Sequence, residues 1–149
     1  MEIVYRITAI NELCAVQYHE DVQLRWLDAT GDYEIFLAHL RERNPQAQFG
    51  LERWSKLAED GITYCGLFKG GVMIARAAVE RYSRDAWETA DVQVFTAERG
   101  KGYAKQICHY VTEYILRSGK HATCRTESDN MPMQNVILAL GFVKCDMEK

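Results

Sequence analysis

At 149 residues, with 48% apolar and 26% charged positions, the chain suits one domain over 1–149 with a core of its own, and no linker, repeat or low-complexity stretch divides it. A formal net charge of −3 argues against a general nucleic-acid binder or an anionic-membrane binder, so neither partner is expected. No run approaches the ~18 apolar residues of a membrane helix, and the opening Met-Glu-Ile-Val-Tyr-Arg has neither the basic nor the apolar region of a signal peptide, which leaves a cytoplasmic protein as the expectation.

In chain order, Met1 to about Ala9 alternates as a strand does, while Leu13 to Tyr18 fits a second strand or a short helix equally well. Residues 1–20 thus offer an extra N-terminal strand or hairpin. Val22 to Leu27 alternates as a strand. Asp32 supplies an N-cap for a helix with Tyr33, Phe36, Leu37 and Leu40 on one face, ending near Asn44-Pro45. A second helix carries Leu51, Trp54, Leu57 and Ala58 and stops at Asp60-Gly61. Ile62 to Phe68 and Val72 to about Tyr82 flank Gly70-Gly71, a tight hairpin signal, and Trp87 to Phe95 makes a third strand. From Gly102 to about Ser118 a helix stripes Ala104, Ile107, Cys108, Val111 and Ile115, with Gly119 as its stop. A strand at His121 to Thr126 follows, then a helix with Met133, Val136, Ile137 and Leu140 on one face, and a last strand from Phe142 to Met147.

The five cysteines, Cys14, Cys65, Cys108, Cys124 and Cys145, are odd in number, far apart and without a Cys-x-x-Cys pair. Neither a disulfide framework nor a zinc site is signalled. His19, His39, His109 and His121 show no ligand spacing, so no metal is expected, and His109 reads as a surface or boundary residue.

The most informative stretch runs Val92-Gln-Val-Phe-Thr-Ala-Glu-Arg-Gly-Lys-Gly-Tyr-Ala104: a strand, a glycine loop and a helix start. The free N–H groups of a first helical turn approached through a tight glycine loop make an anion site for a phosphate or pyrophosphate. A Walker loop is excluded, because Gly, four residues, then Gly-Lys-Ser/Thr occurs nowhere. The dinucleotide fingerprint fails at Lys105, where a third Gly or Ala is needed.

What remains is Arg99-x-x-Gly102-x-Ala104, and Asn130 stands eleven residues before Gly141-Phe142 with a helical pattern between. Together these resemble the coenzyme-A loop and the later Asn-helix-Gly-Phe element of the GCN5-related N-acetyltransferase (GNAT) family, over roughly residues 22–147. The resemblance implies an α/β fold with a mixed, largely antiparallel central sheet flanked by helices. It implies acetyl-CoA as cosubstrate, no metal, and transfer of acetyl to an amine of a small molecule or peptide by direct attack in a ternary complex. Carried over, the loop Arg99, Gly100, Lys101, Gly102, Tyr103 and Ala104 would hold the pyrophosphate, Val94 and Val92 would present backbone to the pantetheine arm, and Asn130 would bond that arm or merely cap its helix.

An amine of pKa ~10.4 is neutral about once in two thousand at pH 7, so a base helps. Glu88, six residues before Val94, matches a glutamate that several members use as that base, and in an unbroken strand Glu88, Ala90, Val92 and Val94 share one face. Asp91 competes if a β-bulge shifts the register. Two features depart from the family's pattern: Ile137 stands where many members carry a proton-donating tyrosine, and there is room for only one strand after Gly141-Phe142. Ser128, Asn130 and Asn135 are the nearby polar groups. Acceptor-side candidates are Trp26, Asp28, Asp32, Tyr33, Phe36, Trp54 and the Arg81–Trp87 loop. A coenzyme-A-binding regulatory module is the alternative function, and a monomer or homodimer fits either.

Overall fold

Gly70 and Gly71 both adopt positive φ, 58° and 81°, as a two-residue hairpin turn requires, and they fold strand β3 (Ile62–Lys69) onto β4 (Val72–Glu80). In the computed structural model, which describes residues 1–145, this hairpin is part of a seven-stranded sheet. The other strands are β1 (Glu2–Ile7), β2 (Val22–Trp26), β5 (Ala86–Val94), β6 (His121–Glu127) and β7 (Val143–Lys144). Helices α1 (Tyr33–Arg43), α2 (Leu51–Lys56), α3 (Tyr103–Arg117) and α4 (Met131–Ala139) complete the described residues, with short 3-10 turns at Ile10–Glu12 and Thr96–Glu98.

The strand order is β2-β3-β4-β5-β6-β1-β7, antiparallel everywhere except between β5 and β6. The N-terminal strand therefore fills the place left vacant in the sheet: it pairs with β6 from Glu2↔Glu127 to Ile7↔Ala122 and with β7 at Tyr5↔Lys144. Leu13 to Tyr18 forms neither a strand nor a helix. It is an extended strap over α3 and α4, tied where Cys14 N–H donates to Leu140 C=O (2.9 Å) and where the Tyr18 hydroxyl meets His109 Nδ1 (2.7 Å). His109 is accordingly buried rather than at the surface.

Two cores lie on opposite faces of the sheet, as the strand alternation demands. Ile107, Val111 and Ile115 of α3 pack with Ala75, Ala77, Val79, Ile137 and Leu140 on one face; Phe36 and Trp54 pack with Leu27, Phe68 and Met73 on the other. Asp32 occupies the N-cap position of α1 but does not cap it. Its carboxylate accepts from Arg25 (2.8 and 3.1 Å) and from Asp28 N–H (2.6 Å), bonds that outcompete the helix end. The second helix is shorter than its apolar pattern, ending at Lys56, and β7 covers only the start of the expected last strand, whose Asp146 and Met147 lie outside the described residues. Among the described residues no helix is long and apolar enough to cross a membrane.

Candidate active site

Parallel pairing of β5 with β6 covers only Ala86↔His121, Trp87↔Ala122 and Glu88↔Thr123. Beyond Thr123, β6 keeps its ladder with β1, whereas β5 follows β4 as far as Val94. A wedge opens between them. The β5 edge that faces it, from Thr89 to Val94, is a row of backbone groups ready to pair with an extended, amide-bearing ligand.

At the open end of the wedge the chain passes through Gly100 (φ 77°) and Gly102 (φ 90°) into α3. The first backbone bond of that helix runs from Gln106 N–H to Gly102 C=O (3.2 Å), and the N–H groups of Gly100 to Lys105 have no acceptor among the described residues. A Cβ on Gly102 would meet nothing closer than 3.9 Å. Its glycine thus serves the left-handed turn and an approach from outside, not internal packing. These groups border a groove of about 860 Å³, floored by Val92 and Val94 of β5, closed on one side by Arg99, Gly100, Gly102, Tyr103 and Ala104, and on the other by Asn130, Asn135 and Val136. Lys101 is not part of the lining; its ammonium lies 3.1 Å from Glu98, which also faces Lys69 at 3.5 Å. Asn130 caps α4, accepting from Met133 N–H (3.2 Å), and still faces the groove.

Gln106, which the sequence pattern did not single out, is buried under the loop. Its amide donates to Gly102 C=O (3.3 Å), accepts from His19 N–H (3.0 Å) and meets His19 Nδ1, so the strap of residues 13–20 props the glycine turn from below. No local signal reveals it, because His19 lies 87 residues away.

The closed end of the wedge is made of side chains. Glu88 is buried, 6% exposed, although it lies near the start of β5. Arg125 Nε lies 3.0 Å from each of its oxygens, and Thr123 Oγ1 donates to it at 3.0 Å, itself 3.0 Å from the exposed Tyr82 hydroxyl. Burial pushes the Glu88 carboxyl above the usual carboxylate range, opposed in part by Arg125 and Thr123.

A β-bulge separates the two ends. The register steps from Arg76↔Gln93 to Ala78↔Ala90, so Ala77 faces two residues, and Asp91 takes φ 49°. Thr89 bonds Thr112 of α3 (2.9 Å) and Val92 and Val94 pack in the α3-side core, whereas Glu88 and Asp91 sit on the opposite face. The unbroken-strand expectation that Glu88 shares a face with Val92 and Val94 is thereby corrected. Asp91 is engaged by the Tyr64 hydroxyl (2.6 Å) and by Arg76 (3.1 Å), and neither it nor Glu88 lines the groove. Arg76 also donates to His39 Nδ1 (3.0 Å), which puts the His39 proton on Nε2; burial and Arg76 lower His39 to about 4.

Ile137 is core, 1% exposed. Among the acceptor-side candidates, Phe36 and Trp54 are core, Trp26 packs against Tyr110 and Tyr114 on the α3 side, and Asp32 is consumed by Arg25, so the structure does not gather them into one pocket. Cys65, Cys108 and Cys124 are buried thiols, and burial raises all three.

The same fold occurs in known proteins. The chain is similar in structure to a GNAT-family acetyltransferase from Colwellia psychrerythraea (TM-score 0.75, 18% identity, 97% of this chain and 52% of that one) and to a GCN5-related N-acetyltransferase from Sphaerobacter thermophilus (0.74, 14%, 97% and 48%). It is also similar to AAC(6')-Iy, solved with a bisubstrate analogue, CoA-S-monomethyl-acetylneamine (0.71, 20%, 87% and 94%). The chain spans about half the length of the first two. No curated protein matches it in sequence. Residues 24–142 match the Acetyltransferase (GNAT) family, and the chain belongs to that family.

Proposed function

We propose that the chain, acting as one domain in the cytoplasm, transfers an acetyl group from acetyl-CoA to a primary amine by direct attack in a ternary complex. The observation that carries this reading is one continuous groove bordered by both the unpaired N–H groups of Gly100 to Lys105 and the unladdered edge of β5. The two suit a ligand with a pyrophosphate at one end and amides along its length. When bound, acetyl-CoA supplies the activated acyl group. Arg99 to Ala104 would hold its phosphates, Val92 and Val94 would offer backbone to its arm beside Asn130, and a β5 N–H would stabilise charge developing on the thioester carbonyl. Because the wedge passes through the sheet, an amine arriving from the Glu88 face meets a group seated on the Val92–Val94 face without crossing a strand. Glu88 then takes the proton that the amine sheds.

The acceptor is a small-molecule or peptide amine, with no nucleic acid or membrane partner, and the aminoglycoside analogue in AAC(6')-Iy argues for including polyamino sugars among those tried. The test follows free thiol released from acetyl-CoA against polyamines, amino acids, aminoglycosides and peptide N-termini, with calorimetric titration of the cofactor alongside. Release with one amine class, and a fall of about 100-fold in kcat in Glu88→Gln at unchanged cofactor affinity, is the expected result. Undiminished turnover in Glu88→Gln rejects Glu88 as the base. A second reading, a coenzyme-A-binding regulatory module, is favoured by the buried Ile137 where a proton donor is usual; cofactor binding without thiol release from any amine supports it.

A further inference from the structure

Glu88 is a buried carboxylate whose ladder partner on β4 is another carboxylate, Glu80. Both burial and the like charge favour the protonated form, in which Glu88 cannot accept a proton. Few charges offset them. Tyr82 reaches Glu88 only through Thr123, and Cys124, the next residue on β6, is pushed up to about 12 and stays a neutral thiol. The remaining group is Arg125, which extends from β6 at the point where that strand has parted from β5, with Nε 3.0 Å from each oxygen of Glu88. Its other end is held as well: Nη1 lies 3.7 Å from Glu2 on β1, the strand inserted beside β6. The guanidinium is thus stretched between a buried carboxylate and a half-exposed one, its side chain 39% exposed against 8% for Glu88 and 52% for Glu2. A planar group with donors on several edges can satisfy both anions at once.

We propose that Arg125 is a positioning residue: it keeps Glu88 ionised and fixed at the apex of the wedge, and β1 supports it there through Glu2. The inference rests on reading Glu88 as the base, and it makes the N-terminal strand part of the site and not only of the sheet.

The experiment is a carbon-13 NMR titration of the glutamate side-chain carboxyls in the intact chain, with the Glu88 signal assigned by its loss in Glu88→Gln. Arg125→Gln removes the only cation bonded to Glu88 among the described residues, so burial and Glu80 act unopposed and the Glu88 midpoint rises by about 1 pH unit or more. Arg125→Lys, which keeps the charge, returns it most of the way. A purely structural role would lower the melting temperature and leave the midpoint where it was, and that result overturns the proposal. Should Arg125→Gln not fold, the unmodified protein answers: the Arg125 Nε–H resonance, assigned by its loss in Arg125→Lys, must titrate with the Glu88 midpoint, and independence of the two overturns the proposal equally. In thiol release, the acid limb of kcat/KM moves to higher pH in Arg125→Gln. Full turnover by Glu88→Gln rejects the base assignment alone, since the carboxyl titration reads Arg125's hold on Glu88 without any acceptor.

Discussion

In the proposed function, the working groups at one end of β5 are backbone: the N–H groups of Gly100 to Lys105 and the strand edge at Val92 and Val94, exposed by a local run of glycines. At the other end they are side chains: Glu88, Arg125 and Thr123, brought together by a parallel pairing of only three residues and by a strand, β1, from the far end of the chain. The bulge at Asp91 lies between and turns the two ends onto opposite faces of the sheet. A backbone site is insensitive to most side-chain changes and intolerant of any that obstruct the approach. A side-chain site depends on remote packing that holds its members in register.

The largest effect is expected where that distinction is sharpest. Gly102→Asp places a carboxylate and a Cβ at φ 90°, a conformation that costs an L-residue roughly 1–2 kcal/mol, yet the Cβ meets no atom closer than 3.9 Å. The domain stays folded by circular dichroism, while calorimetry shows coenzyme-A affinity lost by at least about 1,000-fold, or ~4 kcal/mol. Affinity retained in a folded variant breaks the backbone account of the loop. Ile7→Ala probes the opposite end: Ile7 is 1% exposed and pairs with Ala122 beside the apex, so its truncation lowers unfolding free energy by about 3 kcal/mol in urea with an unchanged m-value. A loss well under 1 kcal/mol would show that β1 is only an accessory to the sheet.

The same division governs what the sequence discloses. The Gly70-Gly71 hairpin, the Arg99–Ala104 loop and the Asn130 cap were legible because each is a local rule: a turn that needs positive φ, a helix start that needs an approach, a side chain that bonds three residues on. The order of elements followed from such local patterns, and the largely antiparallel sheet from the resemblance to the family. The slot taken by β1 did not, since alternation marks a strand without naming its neighbours. The bulge entered only as a condition for Asp91 to compete with Glu88, because Ala77 opposing both Asp91 and Val92 is a property of the pair β4–β5, not of either strand alone. Asp32 looked like a cap until Arg25, seven residues back, was placed within 2.8 Å of it. Arg125 lay in an unremarkable polar position of β6, and only the 37-residue reach to Glu88 gives it a role.

His39 refines the comparison on the Asp91 face. Its folded pKa of about 4 lies below the ordinary 6.5, so the unfolded chain binds the extra proton in the interval between. Its contribution is therefore complete above about pH 6.5 and is lost as the pH falls towards 4. His39→Gln, which keeps an acceptor for Arg76, should lose less stability than the unmodified chain over that interval, by on the order of 2 kcal/mol in urea-derived values at each end. Identical acid profiles would mean that His39 charges without cost in the folded state.

The smallest expected effect concerns the side chain of Lys101, which is absent from the lining of the groove. Its ammonium is half exposed and already paired with Glu98, so a bound phosphate gains from it only after that pair is broken, in solvent that screens both. Lys101→Ala should change coenzyme-A affinity by less than about threefold, or ~0.6 kcal/mol. Glu98→Gln acts in reverse: it frees Lys101 and Lys69 together and removes an anion from the mouth of the groove, so affinity should rise modestly at low salt and the gain should vanish at high salt. A tenfold or greater loss in Lys101→Ala, unaffected by salt, would instead make the loop a side-chain site like the apex and erase the contrast between the two ends of β5.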